Sequence, residues 1–226
     1  GGKEIWIQAS YNPVLDADGK PVRIVKFATD ITEQKRVSAD AKGQLEAISR
    51  SQATIEFDLS GKIITANDNF LKAMGYRLEE VRGQHHRMFV EPDYVASQDY
   101  KTFWAALGRG EFQAAQYQRL GKGGKRIWIQ ATYNPIFDAD GKPIKIVKFA
   151  TDITAQKCAL AELNENLQKL ADGDLSTMIT ADFPEDLKEL RDGFNRTLER
   201  LQGLVTEIQD ATREVENAAS EISSGT

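Results

Sequence analysis

Apolar and polar residues alternate along IWIQATYNPIF and IKIVKFATDI, and β-branched and aromatic residues dominate both runs. A period of two in such runs predicts strands. Between them lies Asp138-Ala139-Asp140-Gly141-Lys142-Pro143, a turn sequence with Gly for positive φ and Pro to stop pairing, so the segment reads as a β-hairpin. Thr54–Leu59 and Lys62–Ala66 bracket Ser60-Gly61 as a second hairpin. Short helices are predicted over Asn67–Met74, ended by Gly75, and over Leu78–Val81, ended near Gly83. Pro92–Leu107 has helical spacing and stops at Gly108, and Phe112–Leu120 alternates again as a strand. Strands, then helices, then strands predict an α+β domain, an antiparallel sheet with its helices gathered on one side.

After Lys157 the pattern changes. Leu160, Leu163, Leu167 and Leu170 recur at helical spacing until Ala171-Asp172-Gly173-Asp174 breaks the run. A connector leads to Pro184. From there Leu187, Leu190, Phe194, Thr197, Leu201, Leu204, Ile208, Ala211, Val215, Ala218 and Ile222 alternate by three and four. That is the seam of a coiled coil, and a stripe so narrow calls for a partner helix, so a homodimer is expected.

The chain repeats part of itself. Residues 1–35 return as residues 123–157 with 28 of 35 positions identical. The offset is domain-sized, too long for a solenoid unit. The expected organisation is therefore the C-terminal hairpin of a truncated upstream domain at 1–35, a linker helix at 36–52, and one complete copy at 53–157. A two-stranded hairpin cannot bury its apolar face alone, so the first copy is expected to pair with a neighbouring sheet or to swap between chains.

Composition narrows the function. With 41% hydrophobic and 28% charged residues, the 226-residue chain has enough apolar content for a core. No apolar run reaches the length of a membrane span, and a cytoplasmic location is expected. A net charge of −5 argues against nucleic-acid binding. The single cysteine, Cys158, excludes an internal disulfide framework. No nucleophile–base pairing, Walker loop or HExxH run is present, so no catalytic residue and no metal site is assigned and the chain is read as a non-enzyme.

Ile55–Thr154 resembles a PAS domain, on the run GYRLEEVRGQ (Gly75–Gln84), the helix start Glu91-Pro92-Asp93 and the terminal Asp152-Ile153-Thr154. Lys169–Leu201 resembles a HAMP module, with Gly173-Asp174-Leu175 opening its connector and Pro184-Glu185 preceding its second helix. The tail EVENAASEISSGT is similar to the entry of the signalling hairpin of methyl-accepting chemotaxis proteins. The combination resembles the soluble energy-taxis and biofilm-dispersion receptors. It implies a PAS domain at 53–157, a HAMP domain at 158–205 and the start of the signalling coiled coil at 206–226. It further implies a sensory transducer whose pocket biases HAMP helix packing to control a histidine kinase, with its coupling protein, through a downstream hairpin. A PAS–HAMP lead into a histidine kinase or a cyclase, or a PAS domain serving only dimerisation and relay, stays open.

The resemblance directs attention to particular residues. His85 or His86 could ligate haem or contact a flavin or a small-molecule ligand. The two are adjacent, so at most one faces inward on a helix; the alternative is a polar pair capping a helix. Trp104, Phe112 and Trp128 could line an aromatic pocket for a planar cofactor, or simply fill a core. Alternation sets Trp128 with Gln130, Thr132 and Asn134, opposite Ile127 and Ile129, which leaves an outer sheet face to be covered by the helix near Lys42–Ser51 or by a partner chain. Flavin-binding relatives carry an Arg-His pair where this chain has Val90 and Glu91. Haem, flavin or no cofactor remain open. Asp152 and Thr154 are expected to couple the last strand to the outgoing helix through hydrogen bonds and a salt bridge to Lys157 or Lys148. Gly173, Pro184 and Glu185 are expected to relay the signal at the connector ends.

Overall fold

Three turns of the pattern Asp-x-(Asp/Ser)-Gly-Lys fix the strand pairs. In each, the aspartate carboxylate accepts the backbone N–H groups two and four residues on: Asp16 from Asp18 and Lys20, Asp58 from Ser60 and Lys62, and Asp138 from Asp140 and Lys142, at 2.8–3.0 Å. Gly19, Gly61 and Gly141 then take φ of 79°, 85° and 76°, a region glycine enters without steric cost. In this computed structural model, which describes residues 4–224, the first turn joins β1 (Ile7–Leu15) to β2 (Pro21–Asp30) as a separate antiparallel pair. The other two turns belong to a five-stranded antiparallel sheet of β3 (Ala53–Phe57), β4 (Ile63–Ala66), β5 (Gln113–Leu120), β6 (Arg126–Phe137) and β7 (Pro143–Asp152), in the order β4-β3-β7-β6-β5.

Helix α1 (Thr32–Ser51) precedes the sheet, and α2 (Asp68–Met74), α3 (Leu78–Val81), α4 (Pro92–Ala96) and α5 (Gln98–Gly108) lie between β4 and β5. Ile55, Phe57, Ile127, Ile129, Tyr133 and Ile146 from the inner sheet face pack with Phe70, Met74, Val81, Phe89 and Leu107 into one core. The single helix expected over Pro92–Leu107 is two helices. Ser97 is extended, and its Oγ accepts the Tyr100 N–H at 3.2 Å; a serine caps a new helix better than it continues an old one.

Asn67 pins three elements together. Its Oδ1 accepts the N–H groups of Thr54 (2.9 Å) and Phe70 (3.0 Å), opening α2, while its Nδ2 donates to the carbonyls of Ser49 (2.9 Å) and Gln52 (2.8 Å), closing α1. Free carbonyls at a helix end need such partners.

Beyond the sheet, α6 (Thr154–Ala171) is followed by an extended connector and by the 37-residue α7 (Lys188–Ser224). Gln202 donates to the Leu175 carbonyl, Asn195 exchanges two hydrogen bonds with the Ile179 backbone, and Arg191 donates to the Ala181 carbonyl. As the connector number rises its α7 partner falls, so the connector runs antiparallel to α7. Ala159, Leu163, Ile179, Phe183, Phe194 and Leu198 form a second core. Here Leu198 is buried and the predicted seam residue Thr197 is exposed, because the face of α7 turned to the connector is offset by one residue from the seam. Leu204, Ile208, Val215 and Ile222 on the seam remain exposed. Among the described residues, no helix is long and apolar enough to cross a membrane.

Within the single chain, two surfaces keep apolar side chains uncovered. Leu45 and Ser49 of α1 border a groove on the outer sheet face, over Thr54, Glu56, Ile136, Lys145, Val147 and Phe149. However, α1 buries no residue of its own. The β1–β2 hairpin makes no strand pairing with the larger sheet, and Trp6, Tyr11, Ile24 and Phe27 stand exposed on it. The sheet's edges are the short β4 and β5 of the complete copy, neither of which the hairpin reaches. Positions 1–3 and 225–226 of the expected segments lie outside the described residues.

Because Asn67 serves two donors and two acceptors, Asn67→Ala should cost about 2 kcal/mol in chemical denaturation, the upper end for a lost cap. Asn67→Asp keeps the acceptor but turns an anionic oxygen toward two carbonyls, and should be destabilised as well.

Candidate functional site

The inner face of the sheet carries polar side chains in the middle of the core. On β6 and β7, Tyr133 and Lys148 are cross-strand partners, with Ile55 of β3 next in the row. Alternation gives Lys148 the same face as Ile146 and Ala150, so it points inward, and it is 1% exposed. Its ammonium lies 5.0 Å from the Tyr133 ring centroid and 5.5 Å from that of Phe70. From β5, Arg119 is 4% exposed and stacks its guanidinium 4.5 Å over Tyr117. Its Nη2 donates to the Tyr133 hydroxyl at 3.3 Å and its Nη1 to the Gln118 carbonyl at 2.9 Å.

His86 completes the group. The 3₁₀ turn His86–Phe89 opens with His85 Nδ1 accepting the Arg87 N–H at 3.1 Å, which turns the next ring fully inward. His86 Nδ1 and Nε2 lie 3.0 Å from the hydroxyls of Tyr100 and Tyr133. Phe57, Phe103 and Trp104 surround the ring. Arg119 donates to the Tyr133 oxygen and Lys148 sets positive charge beside it. The Tyr133 proton therefore turns to His86 Nε2, and Nδ1–H donates to Tyr100; the tautomer follows from the network.

Electrostatics agree. Burial, then the charges of Arg119, Lys148 and His85, hold His86 well below its ordinary value, so the ring is neutral. Burial lowers Lys148. For Tyr133 burial acts upward, but Lys148 and Arg119 outweigh it and hold the phenol below its ordinary value. Tyr117 lacks such direct bonds, and burial and Tyr133 push it up to about 12.

The predicted residues scatter over three surfaces. His86 and Trp104 meet in the interior. His85 sits at the rim, its ring edge-on to Trp104, where a Cβ on Gly61 would come within 2.9 Å of His85 Nε2. Phe112 lies outside β5 and is 69% exposed, because the strand starts only at Gln113. Trp128 lies on the outer face, as its alternation requires, with Lys157 Nζ 5.2 Å from its ring centroid. Trp104, Phe112 and Trp128 thus share no pocket for a planar cofactor. Nor do the histidines fit as haem ligands: both His86 nitrogens are bonded to tyrosines, and His85 Nε2 is pressed on Gly61. Val90 is buried and Glu91 pairs with Arg126 at 3.4 Å.

A second set of bonds joins the sheet to α6. The Ile153 N–H donates to the Trp128 carbonyl (2.8 Å), the Trp128 N–H to Thr154 Oγ1 (2.9 Å), and the Thr154 N–H to Asp152 Oδ1 (2.8 Å). The salt bridge expected for Asp152 is not made among the described residues: Lys148 points into the core and Lys157 lies over Trp128. Gly173 takes φ of 87° just past the C-terminus of α6. The Pro184 carbonyl accepts the Leu187 N–H at 2.8 Å, and Glu185 pairs with Lys188 at 2.7 Å on the surface.

Residue-type reasoning missed Tyr100, Arg119, Tyr133 and Lys148. The available signal was parity: Lys148 alternates with Ile146, and Arg119 with Tyr117.

A five-stranded antiparallel sheet closed on one side by short helices, with polar groups at its heart, is the PAS architecture, and residues 63–150 match the family model described as the PAS fold. Residues 63–150 thus carry a PAS fold. The chain is similar to the biofilm dispersion protein BdlA of Pseudomonas aeruginosa, with 44% identity over 153 residues, 68% of this chain and 37% of that protein. It is also similar to the aerotaxis receptor of Escherichia coli, with 30% identity over 105 residues, 46% of this chain and 20% of that protein. Among solved structures, the PAS domain of a Colwellia psychrerythraea protein matches with a TM-score of 0.45 and 24% identity, over 50% of this chain and 97% of that chain. The chain thus spans 37% or less of the length of these two curated relatives.

A buried neutral histidine sets a pH dependence. Below its ordinary value near 6.5 the unfolded chain takes up a proton that folded His86 refuses, so stability falls as pH drops from there. His86→Phe should be less stable overall, because two tyrosine hydroxyls lose their partner. Its stability should also fall less steeply below about pH 6.5 than that of the unmodified protein. Parallel profiles from urea denaturation at each pH would show that the ring is not held neutral.

Proposed function

We propose that the chain is the sensory and relay part of a cytoplasmic chemotaxis-type transducer. In this reading the PAS interior around His86, Tyr133, Arg119 and Lys148 receives a small-molecule signal, and the bond set at Thr154 passes it to α6. The observation that carries the reading is continuity. β7 ends at Asp152 and α6 begins at Thr154, with no flexible linker to absorb a displacement of the strand. Lys148, inside the core, and Asp152, at the joint, are on that same strand.

Downstream, we read α6, the extended connector and the first turns of α7 as one HAMP protomer over 158–205, a reading supported by the antiparallel return of the connector along α7. Gly173 and Pro184-Glu185 would end its connector. The exposed seam of α7 supports a homodimer through a parallel coiled coil from about residue 206. A four-helix HAMP packing with two arrangements of similar energy is the element that a shift of β7 would bias. The relatives' names, a biofilm dispersion protein and an aerotaxis receptor, support a sensory role, and in this reading the downstream helices act on an associated histidine kinase and its coupling protein.

Cys158 is the only cysteine and is exposed on α6, so one spin label there reports the distance between the two α6 helices of a dimer. Thr154→Val removes the acceptor of the Trp128 N–H and should cost about 1 kcal/mol, leaving the PAS fold intact by circular dichroism. The expected outcome is a dimer whose Cys158–Cys158 distance distribution shifts in Thr154→Val. A monomer at working concentration, or an unmoved distribution, would overturn the relay.

A further inference from the structure

The core around Tyr133 has too many hydrogen-bond donors. Arg119, Lys148 and the Trp104 indole are donors only, and the acceptors of neutral His86, Tyr100 and Tyr133 are already taken up by one another and by Arg119. Arg119 Nε stays buried without an acceptor, while the Trp104 indole is directed at the Tyr100 oxygen. The two residues belong to one cluster, since Phe103 touches Trp104, Tyr117 and Tyr133, and Arg119 bonds Tyr133. Among the described residues, neither Arg119 nor Lys148 has a carboxylate within ion-pair distance. Buried Arg and Lys are rare unless paired, and leaving a charge unpaired in a core is strongly unfavourable.

Fold architecture gives no reason for this arrangement. A β-strand position facing a core normally takes an apolar residue, as Ile146 and Ala150 do on either side of Lys148. What the cluster lacks is an acceptor of negative charge with two oxygens, and a guanidinium edge is matched to a carboxylate in just that way. The neighbouring side chains of this core are aromatic: Phe57, Phe103, Tyr117 and Trp104.

We infer that the PAS interior binds a small organic carboxylate, its charge held between Arg119 and Lys148 and its apolar body against the aromatic rings. This rests on the sensory reading above and names the ligand class of that same site. Binding would pull Arg119 and Lys148 away from the Tyr133 oxygen. Because Lys148 lies on β7, the ligand's charge acts directly on the strand that leads to Thr154.

The test uses the full chain, at matched ionic strength, with benzoate, pyruvate and inorganic phosphate as anions and benzamide as the neutral counterpart of benzoate. Benzoate or pyruvate at about 10 mM should raise Tm by roughly 5 °C, and benzamide and phosphate should not. Lys148→Met should abolish that rise while its own Tm without ligand stays level or increases, since an uncompensated buried charge has been removed. Arg119→Lys, which keeps the charge but not the fork, should weaken the rise and serves if Lys148→Met fails to fold. The proposal is overturned if neither carboxylate stabilises the chain, if benzamide or phosphate does so equally, or if Lys148→Met retains the effect. Tyrosinate absorbance in the ligand-free protein at neutral pH would also overturn it, because ionised Tyr133 would then supply the missing charge. Carboxylate-dependent stabilisation without movement of the Cys158–Cys158 distance would sustain the ligand class and remove the relay reading alone.

Discussion

The hydroxyl of Tyr133 is the point on which three strands and two helical segments converge. Arg119 reaches it from β5, Lys148 from β7, and His86 from the turn before α4, with Tyr100 of α5 beyond the imidazole. Each contact is modest in water, but inside a core an unmade one is costly, so the network is constrained as a unit. It also couples parts of the chain that the sheet alone would leave independent. A change at one cation alters the acceptor seen by the other, then the tyrosine proton, then the imidazole tautomer. That is the physical basis for reading the interior as a receiver of signal and not merely as packing.

The same residues weaken the case for a planar cofactor. An imidazole that ligates iron needs one free nitrogen, and here both are engaged by phenols. A flat cofactor needs a slot between rings, whereas the faces of the His86 ring are already taken by Tyr100 and Phe103, which lie stacked on it. A small charged ligand asks less of the core. It needs donors already aimed inward, and the two cations supply them.

Much of the fold was legible because it is written in local chemistry. The Asp-Gly-Lys turns, Asn67 opening α2, Gly75 closing it, and the leucine spacing of α6 are all signals of a few residues. The errors arise where a choice between two faces decides. The resemblance offers Lys148 beside Lys157 as a salt-bridge partner for Asp152, yet strand parity sets Lys148 with Ile146 inside the core. Thr197 sits on the seam and Leu198 one step away, and only the return of the connector along α7 decides which of the two is buried. Phe112 looked like a strand residue, but the strand begins one position later and the ring is left outside. The interior network was the least legible part, since its members lie far apart in sequence and only register and reach bring them together.

The repeat adds a control that the protein carries within itself. In the first copy, the Ile31 N–H bonds the Trp6 carbonyl at 2.8 Å, the Trp6 N–H bonds Thr32 Oγ1 at 2.7 Å, and the Thr32 N–H bonds Asp30 Oδ1 at 2.8 Å. Lys35 lies over Trp6 as Lys157 lies over Trp128, and Lys26 lies over Tyr11 as Lys148 lies over Tyr133. These contacts form on a two-stranded hairpin with no core beneath it. The joint and the Lys–Tyr pair therefore recur with the hairpin sequence, on a copy that has no core beneath it. A signal from the interior need not make or break the joint; it need only move a strand to which the joint is already fastened. What the complete copy adds is Arg119, His86 and burial, which turn an ordinary surface Lys–Tyr contact into a charge without a counterion.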